Sequence, residues 1–563
     1  MKAEHVRIYK AVHTWSGIVS GMALFIAFYA GALAVFKEPI NRWVSPPATS
    51  PMVSLAEAPE LITKTLATDP SAARAFTIYL RDTEDVPARM GWTVRDPNAD
   101  DHDPSAHRDY QSALRADGAA QVQQVHPTPL GDFIDVLHRV VGLPTDNDPN
   151  RWVMGVVALL YAVALFSGVV VLLPSLVKDF FALRVGKNLK RMWLDAHNVV
   201  GIISLPFHIV MALTAVGFAF HDGFYDLQDR LIHNGQLATA FQPPATAFTK
   251  TQAPPDPATM LAPTALVARV KTIAPDFEAT RLDYQGVATP RAMVRVWGKD
   301  SAEVMPRALG GFAVLDPYTG KIASADFLPG AQSAPNLVIS SIFALHMASF
   351  GGAAVQWMYF LLGMCGAWLF YSGNLLWVES RRRSARKAGD PVPEQRRDTR
   401  LMAAATVGVC LGCVCGISLT IAGGKWLYGH VGDLGLWHKG LYYTAFFASL
   451  GWAFWRGAAI AGVTLLRASA ALTLAIPLTS LLAWLVPGLG LWVHTSPAAL
   501  GVDATALTGA LALALMARAA TRRLRQGTPD SVWAITPPTP RPTPRPTPRP
   551  APLTTSDNAP RAP

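Results

Sequence analysis

Two histidines of this chain sit in matching sequence contexts. His13-Thr-Trp-Ser-Gly17-Ile-Val-Ser20 recurs as His197-Asn-Val-Val-Gly201-Ile-Ile-Ser204, with His, Gly, Ile, a branched aliphatic and Ser at identical spacing. A second pair, His138 and His346, follows a leucine in each case. All four lie in or beside apolar stretches long enough to cross a bilayer, where titratable groups are rare and mark functional sites. One pair falls near the inner end of each outward span, the other just before each inward span. Two depth-matched pairs are what bis-histidine haem ligation needs: one imidazole on each iron face, from two facing helices. Gly17 and Gly201, four residues after their histidines, share the helix face and leave room for a flat macrocycle. Gly21, Gly31 and Gly217 are placed to help in the same way.

Other chemistry-bearing residues fit less sharply. His208 lies roughly 16 Å along a helix from His197. It stands as an alternative ligand, a hydrogen-bond partner or a packed core residue. Arg139 offers charge to an anionic propionate or chelate, or anchors the interface. His221 ends the same outward span as His208. His102, His107 and His126 read as surface residues, as do His430, His438 and His494. Cys365, Cys410, Cys413 and Cys415 all fall within apolar spans and read as buried thiols rather than metal ligands. Neither a Rossmann glycine fingerprint nor a P-loop is visible, nor a hydrolase motif, so an electron donor would be external. Specific catalytic residues are not legible.

The elements that must position these residues are membrane spans. Hydrophobic residues make up 51% of 563 and charged residues 16%. The net charge of +10 is clustered between spans, which argues for a lipid bilayer and against nucleic acid. The pattern predicts a polytopic α-helical protein with about eight spans: 11–36, 152–174, 193–220 and 353–378, then a four-helix extension over 401–520 (401–422, 437–455, 468–486 and 504–520). A surface helix is expected at 132–143 and another helical segment at 336–352. Between spans, 45–143 and 222–352 read as two small α+β domains from an internal parallel repeat. Asp117-Gly118 and Asp316-Pro-Tyr-Thr-Gly320 are turn signals within them. Basic clusters place both termini, the loop at 379–400 and the tail at 521–563 in the cytoplasm. That tail, Pro/Arg-rich, reads as disordered.

The ordered set His13-x3-Gly17, Leu137-His138-Arg139, His197-x3-Gly201 with Pro206-Phe207-His208, and Leu345-His346 resembles the PepSY-associated transmembrane family. The turn at Asp316–Gly320 is similar to that of its PepSY outer domains. The resemblance covers roughly residues 1–380. It implies an inner-membrane di-haem b protein that reduces ferric siderophore in the periplasm and releases ferrous iron, with quinol or a cytoplasmic reductase as donor. It also implies that His13, His138, His197 and His346 hold the two haem irons. Two other functions stay open: a siderophore or metal permease without redox activity, and a membrane-anchored periplasmic binding or sensor protein.

Overall fold

The computed structural model describes residues 3–47, 52–81, 86, 88–95, 107–125, 127–176, 189–236, 255–300, 302–307, 310–384 and 392–535. Three expected loop histidines give no site: His102 and His126 lie outside these residues, and the side chain of His107 is not described. Most of the tail, 536–563, also lies outside them.

The chain begins with α1 (Ala3–Ala34) and the short α2 (Lys37–Val44). Next come α3 (Ala58–Thr68) and four strands, β1 (Ala75–Tyr79), β2 (Met90–Arg95), β3 (His107–Leu114) and β4 (Ala120–Val125). Then follow α4 (Leu130–Arg139), α5 (Asp148–Leu172), α6 (Leu189–Ile203), α7 (Leu205–Ala219) and α8 (His221–Gln228). The second extramembrane segment has the same order of elements: α9 (Pro263–Lys271), β5 (Glu278–Gln285), β6 (Met293–Lys299), β7 (Gly311–Leu315) and β8 (Ile322–Phe327). The chain closes with α10 (Ala334–Met347), α11 (Gly352–Ser380), α12 (Arg397–Leu427), α13 (Leu434–Leu485) and α14 (Pro497–Gln526).

Two small α+β domains were expected; among the described residues their strands are joined in one eight-stranded sheet, ordered β4-β3-β2-β1-β5-β6-β7-β8. Antiparallel pairing of β1 with β5, Ile78 opposite Leu282, joins two four-stranded meanders. Each meander alone would leave its first strand as an open edge, and pairing removes both edges. Along β6, Val294 and Val296 point into the core while Arg295 and Trp297 point to the other face, as the two-residue period of a strand requires. The core of this sheet, including Phe76, Ile78, Tyr284 and Val296, is covered by α3 and α9. Asp316 closes the β7–β8 turn by accepting from the Tyr318 and Thr319 amides at 2.8 and 3.1 Å, and Gly320 supplies the positive φ of 70°.

Among the described residues, six helices are long and apolar enough to cross a membrane: α1, α5, α11, α12, α13 and α14. A seventh is made if α6 and α7 count as one span, although they meet at a 71° bend. The predicted single span over 193–220 is therefore broken. Pro206 has no N–H to donate, and its ring opposes helical continuation at that point. The expected loop between 455 and 468 is helical apart from Gly457, whose φ of 74° and ψ of 159° interrupt α13. At 52 residues, α13 would be ~78 Å long if straight, more than twice a ~30 Å hydrocarbon core.

The extension is held by close backbone approach. Gly408, Gly412 and Gly416 recur every four residues on α12 and face α13. A Cβ on Gly416 would come within 2.7 Å of the Tyr442 ring and 3.0 Å of its carbonyl oxygen. Small residues at this spacing let membrane helices touch through their backbones. The α4 helix was expected at the surface; it is packed instead, with Leu130, Ile134 and Leu137 fully buried among α1, α2, α12 and α13. Helix α14 runs on to Gln526, so residues 521–526 of the predicted tail are helical. The next residues dock on the end of α11, where Trp533 Nε1 donates to Glu379 at 2.8 Å.

Candidate histidine pairs in the helical bundle

His13 on α1 and His197 on α6 face each other with ring centroids 6.4 Å apart and planes 72° apart. His138 on α4 and His346 on α10 do the same at 6.1 Å and 35°. A metal held between two imidazole nitrogens at ~2.0 Å each puts the ring centroids about 6 Å apart. Both pairs have that spacing. The second pair lies on the side of the sheet, because α4 and α10 follow β4 and β8 directly.

Hydrogen bonds fix which nitrogen is available. His13 Nδ1 lies 2.8 Å from the Ala164 carbonyl oxygen, and His138 Nδ1 lies 2.8 Å from that of Ala27. A carbonyl only accepts, so each Nδ1 carries the proton. His197 Nδ1 meets Ser372 Oγ at 3.0 Å, and that hydroxyl spends its own hydrogen on the Leu369 carbonyl at 3.0 Å. His346 Nδ1 meets Thr214 Oγ1 at 2.7 Å, and that hydroxyl donates to Val210 at 2.6 Å. All four rings therefore donate from Nδ1 and keep the Nε2 lone pair free, the state of a metal-binding imidazole.

Glycines seat these rings and leave space beside them. A Cβ on Gly168 would lie 2.9 Å from His13 Cε1 and Nδ1, and one on Gly31 would lie 2.6 Å from His138 Nδ1. A Cβ on Gly373 would lie 3.6 Å from His197 Cε1. At Gly17 a Cβ would meet nothing within 4 Å, and at Gly201 only Leu369 Cδ2 at 3.9 Å. These two positions border open space, as a flat macrocycle requires; Gly217 is open too. Gly21 and Gly31 act otherwise: the first packs against Asn374 and the second against His138 itself. The free Nε2 pairs and the open glycine positions fit haem.

One helix sets the distance between the pairs. His13 and Ala27 both belong to α1, fourteen residues apart, or about 21 Å. Between the two levels sits His208, 3% exposed, ringed by Phe28, Tyr161, Phe207 and Phe370. Tyr161 Oη lies 2.6 Å from its Nδ1 and 3.1 Å from its carbonyl oxygen. Among the described residues no second imidazole stacks on His208, and its buried Nε2 has no hydrogen-bond partner.

The remaining candidates separate clearly. Arg139 pairs with Asp135 at 3.2 Å and with Asp146, which also holds Arg151. His221 pairs with Asp222 at 3.1 Å near the sheet-side end of the bundle. His438 and His494 are buried at 0% and 5% rather than exposed, because α12–α14 and α2 close over them. Cys410, Cys413 and Cys415 are free thiols in the bundle core. Sequence reasoning missed Ser372 and Thr214 as acceptors. The Ser372-Gly373 dipeptide was visible as a recurrence of Ser167-Gly168, but its meaning depends on which helix it faces.

The family model described as PepSY-associated TM region matches residues 11–380, a span that includes all four histidines. No curated protein matches the chain.

Proposed function

Because the chain belongs to the PepSY-associated transmembrane family, we propose that it is a di-haem b protein of the bacterial inner membrane that reduces ferric siderophore on the periplasmic side. The observation that carries this reading is the pair of facing imidazole couples, each ring donating from Nδ1 and offering Nε2. His13 with His197 would hold one haem, and His138 with His346 the other. Bound there, haem supplies reversible one-electron exchange at iron. The protein's part is orientation. The Ala164 and Ala27 carbonyls and the Ser372 and Thr214 hydroxyls fix ring tautomer and angle, and raise the basicity of Nε2.

Counting α6–α7 as one span and α13 as two gives eight spans, with the two extramembrane segments as a duplicated unit. Lys2, Arg7 and Lys10 before the first span, Arg381–Arg383 after α11, and Arg518, Arg522, Arg523 and Arg525 at the end of α14 support a cytoplasmic location for those ends under the positive-inside rule. The sheet and the His138–His346 pair then face the periplasm. One electron from quinol or a cytoplasmic reductase converts chelated Fe3+ to Fe2+, which the siderophore holds far less tightly.

A permease is the rival reading. It draws on one observation, the 71° break between α6 and α7, since discontinuous helices build transporter sites. An absorption spectrum of the purified protein, oxidised and then dithionite-reduced, with a pyridine haemochrome count, separates the two. About two b-type haems per chain are expected. A folded but colourless protein from haem-replete cells would end the reductase reading and select the permease.

A further inference from the structure

The face of the sheet turned away from α3 and α9 carries a row of side chains that the histidine chemistry leaves unused. Arg281, Trp297, Phe312 and Phe327 stand directly opposite one another on β5, β6, β7 and β8. Residues paired in this way share one face. The Trp297 and Phe312 centroids are 4.5 Å apart, and Phe312 and Phe327 stack at 5.1 Å.

Three guanidinium groups lie on these rings: Arg281 over Trp297 at 5.1 Å, Arg295 over Phe312 at 5.6 Å and Arg307 over Phe327 at 5.1 Å. Arg281 is shared with Asp283 at 3.4 Å. Among the described residues, Arg295 and Arg307 have no carboxylate partner. Trp297 Nε1 and Arg295 Nε have no hydrogen-bond partner either. The row is partly exposed rather than core.

It also leads somewhere. Arg307 lies 5.0 Å from the Phe343 ring on α10. Phe343 touches Phe218 at 4.9 Å, and Phe218 meets His346 edge-on at 5.0 Å. The row therefore ends beside the sheet-side histidine pair.

We propose that this arginine–aromatic row docks an anionic ferric chelate with aromatic donor rings, of the catecholate type, and presents it to the His138–His346 pair. The inference rests on the reductase reading. A stacked guanidinium keeps its N–H edge for anionic oxygens, and the flat rings between the arginines match flat donor rings of the ligand. A neutral, non-aromatic chelate gains neither interaction.

The test uses the full chain in nanodiscs and equilibrium dialysis against two probes. One is the ferric 2,3-dihydroxybenzoate complex, anionic and aromatic. The other is ferric acetohydroxamate, neutral and without rings. The wild type should bind the first at least about tenfold more tightly. Arg295→Gln with Arg307→Gln should remove that preference, Arg295→Lys with Arg307→Lys should keep part of it, and haem content should not change. Equal binding of both probes by the wild type would overturn the proposal without any variant being needed. So would undiminished selectivity in the glutamine double variant. Loss of haem from that variant would also overturn it, assigning the arginines to a haem carboxylate. Selective binding by a protein that holds no haem would leave the docking row standing and end the reductase reading. Haem-linked reduction without selective binding would do the reverse.

Discussion

His197 Nδ1 and Ser372 Oγ lie 3.0 Å apart across two helices, and the serine hydrogen is already committed to the Leu369 carbonyl. The imidazole must therefore donate, which leaves its Nε2 as the lone-pair nitrogen, in a ring whose centroid is 6.4 Å from that of His13. Ser372→Ala removes the side-chain partner of that ring nitrogen. Loss of such an outer partner typically costs about 10–100-fold in metal affinity. The variant should still bind haem but release it correspondingly faster to apomyoglobin, and Thr214→Ala should act likewise on the other haem. Wild-type release from both variants would remove the orienting role.

Alanine at the ligand candidates should act by pair. His13→Ala or His197→Ala should each leave the haem held by His138 and His346, and the converse substitutions should leave the other. A haemochrome count near one per chain, with a different half of the redox titration missing in each group, is the expected result. Two haems retained in all four variants would refute the assignment.

Gly17 borders open space, whereas Gly168 supports the His13 ring. Gly17→Leu should leave folding and expression intact and exclude haem from the His13–His197 site. Gly168→Leu should displace the imidazole itself. Full haem occupancy in Gly17→Leu would show that the space beside this glycine is not the macrocycle's.

His208 should prove dispensable for haem. His208→Leu keeps the apolar surroundings of Phe28, Phe207 and Phe370 and removes a buried nitrogen without a partner. Two haems should remain. Tyr161 loses its partner at Nδ1, a change worth about 1 kcal/mol in thermal stability. A loss of haem would make His208 a ligand.

The docked segment after α14 should respond to acid. Burial raises the Asp530 carboxyl, but the Arg382 hydrogen bond and charge outweigh it and hold the group below its usual range. A depressed folded value means that the stabilisation is complete above the unfolded value, ~3.9, and is lost as pH falls through the folded one. Hydrogen exchange over 527–535 should therefore rise at pH below about 4. In Arg382→Gln it should rise several-fold at neutral pH, with α12 unaffected. Unchanged exchange in that variant would show that the Trp533–Glu379 and Gln395–Asp530 contacts hold the segment without Arg382.

Sequence alone determined that the chain is built on apolar helices long enough to cross a membrane, and it marked the four histidines as two candidate pairs. Apolar length and basic flanks define a membrane helix locally, and a repeated His-x3-Gly needs no tertiary information to be seen. The turns at Asp117-Gly118 and Asp316–Gly320 were legible for the same reason: their conformations are set by the residues within them. Only the tertiary structure decided that β1 pairs with β5 to make one sheet, that α4 is buried rather than lying at the surface, and that α6 and α7 diverge by 71°. It alone placed Ser372 and Thr214 against imidazoles 175 and 132 residues away in the chain. Such contacts depend on which helix faces meet. That is settled by packing across the whole bundle, and no window of sequence contains both sides of it.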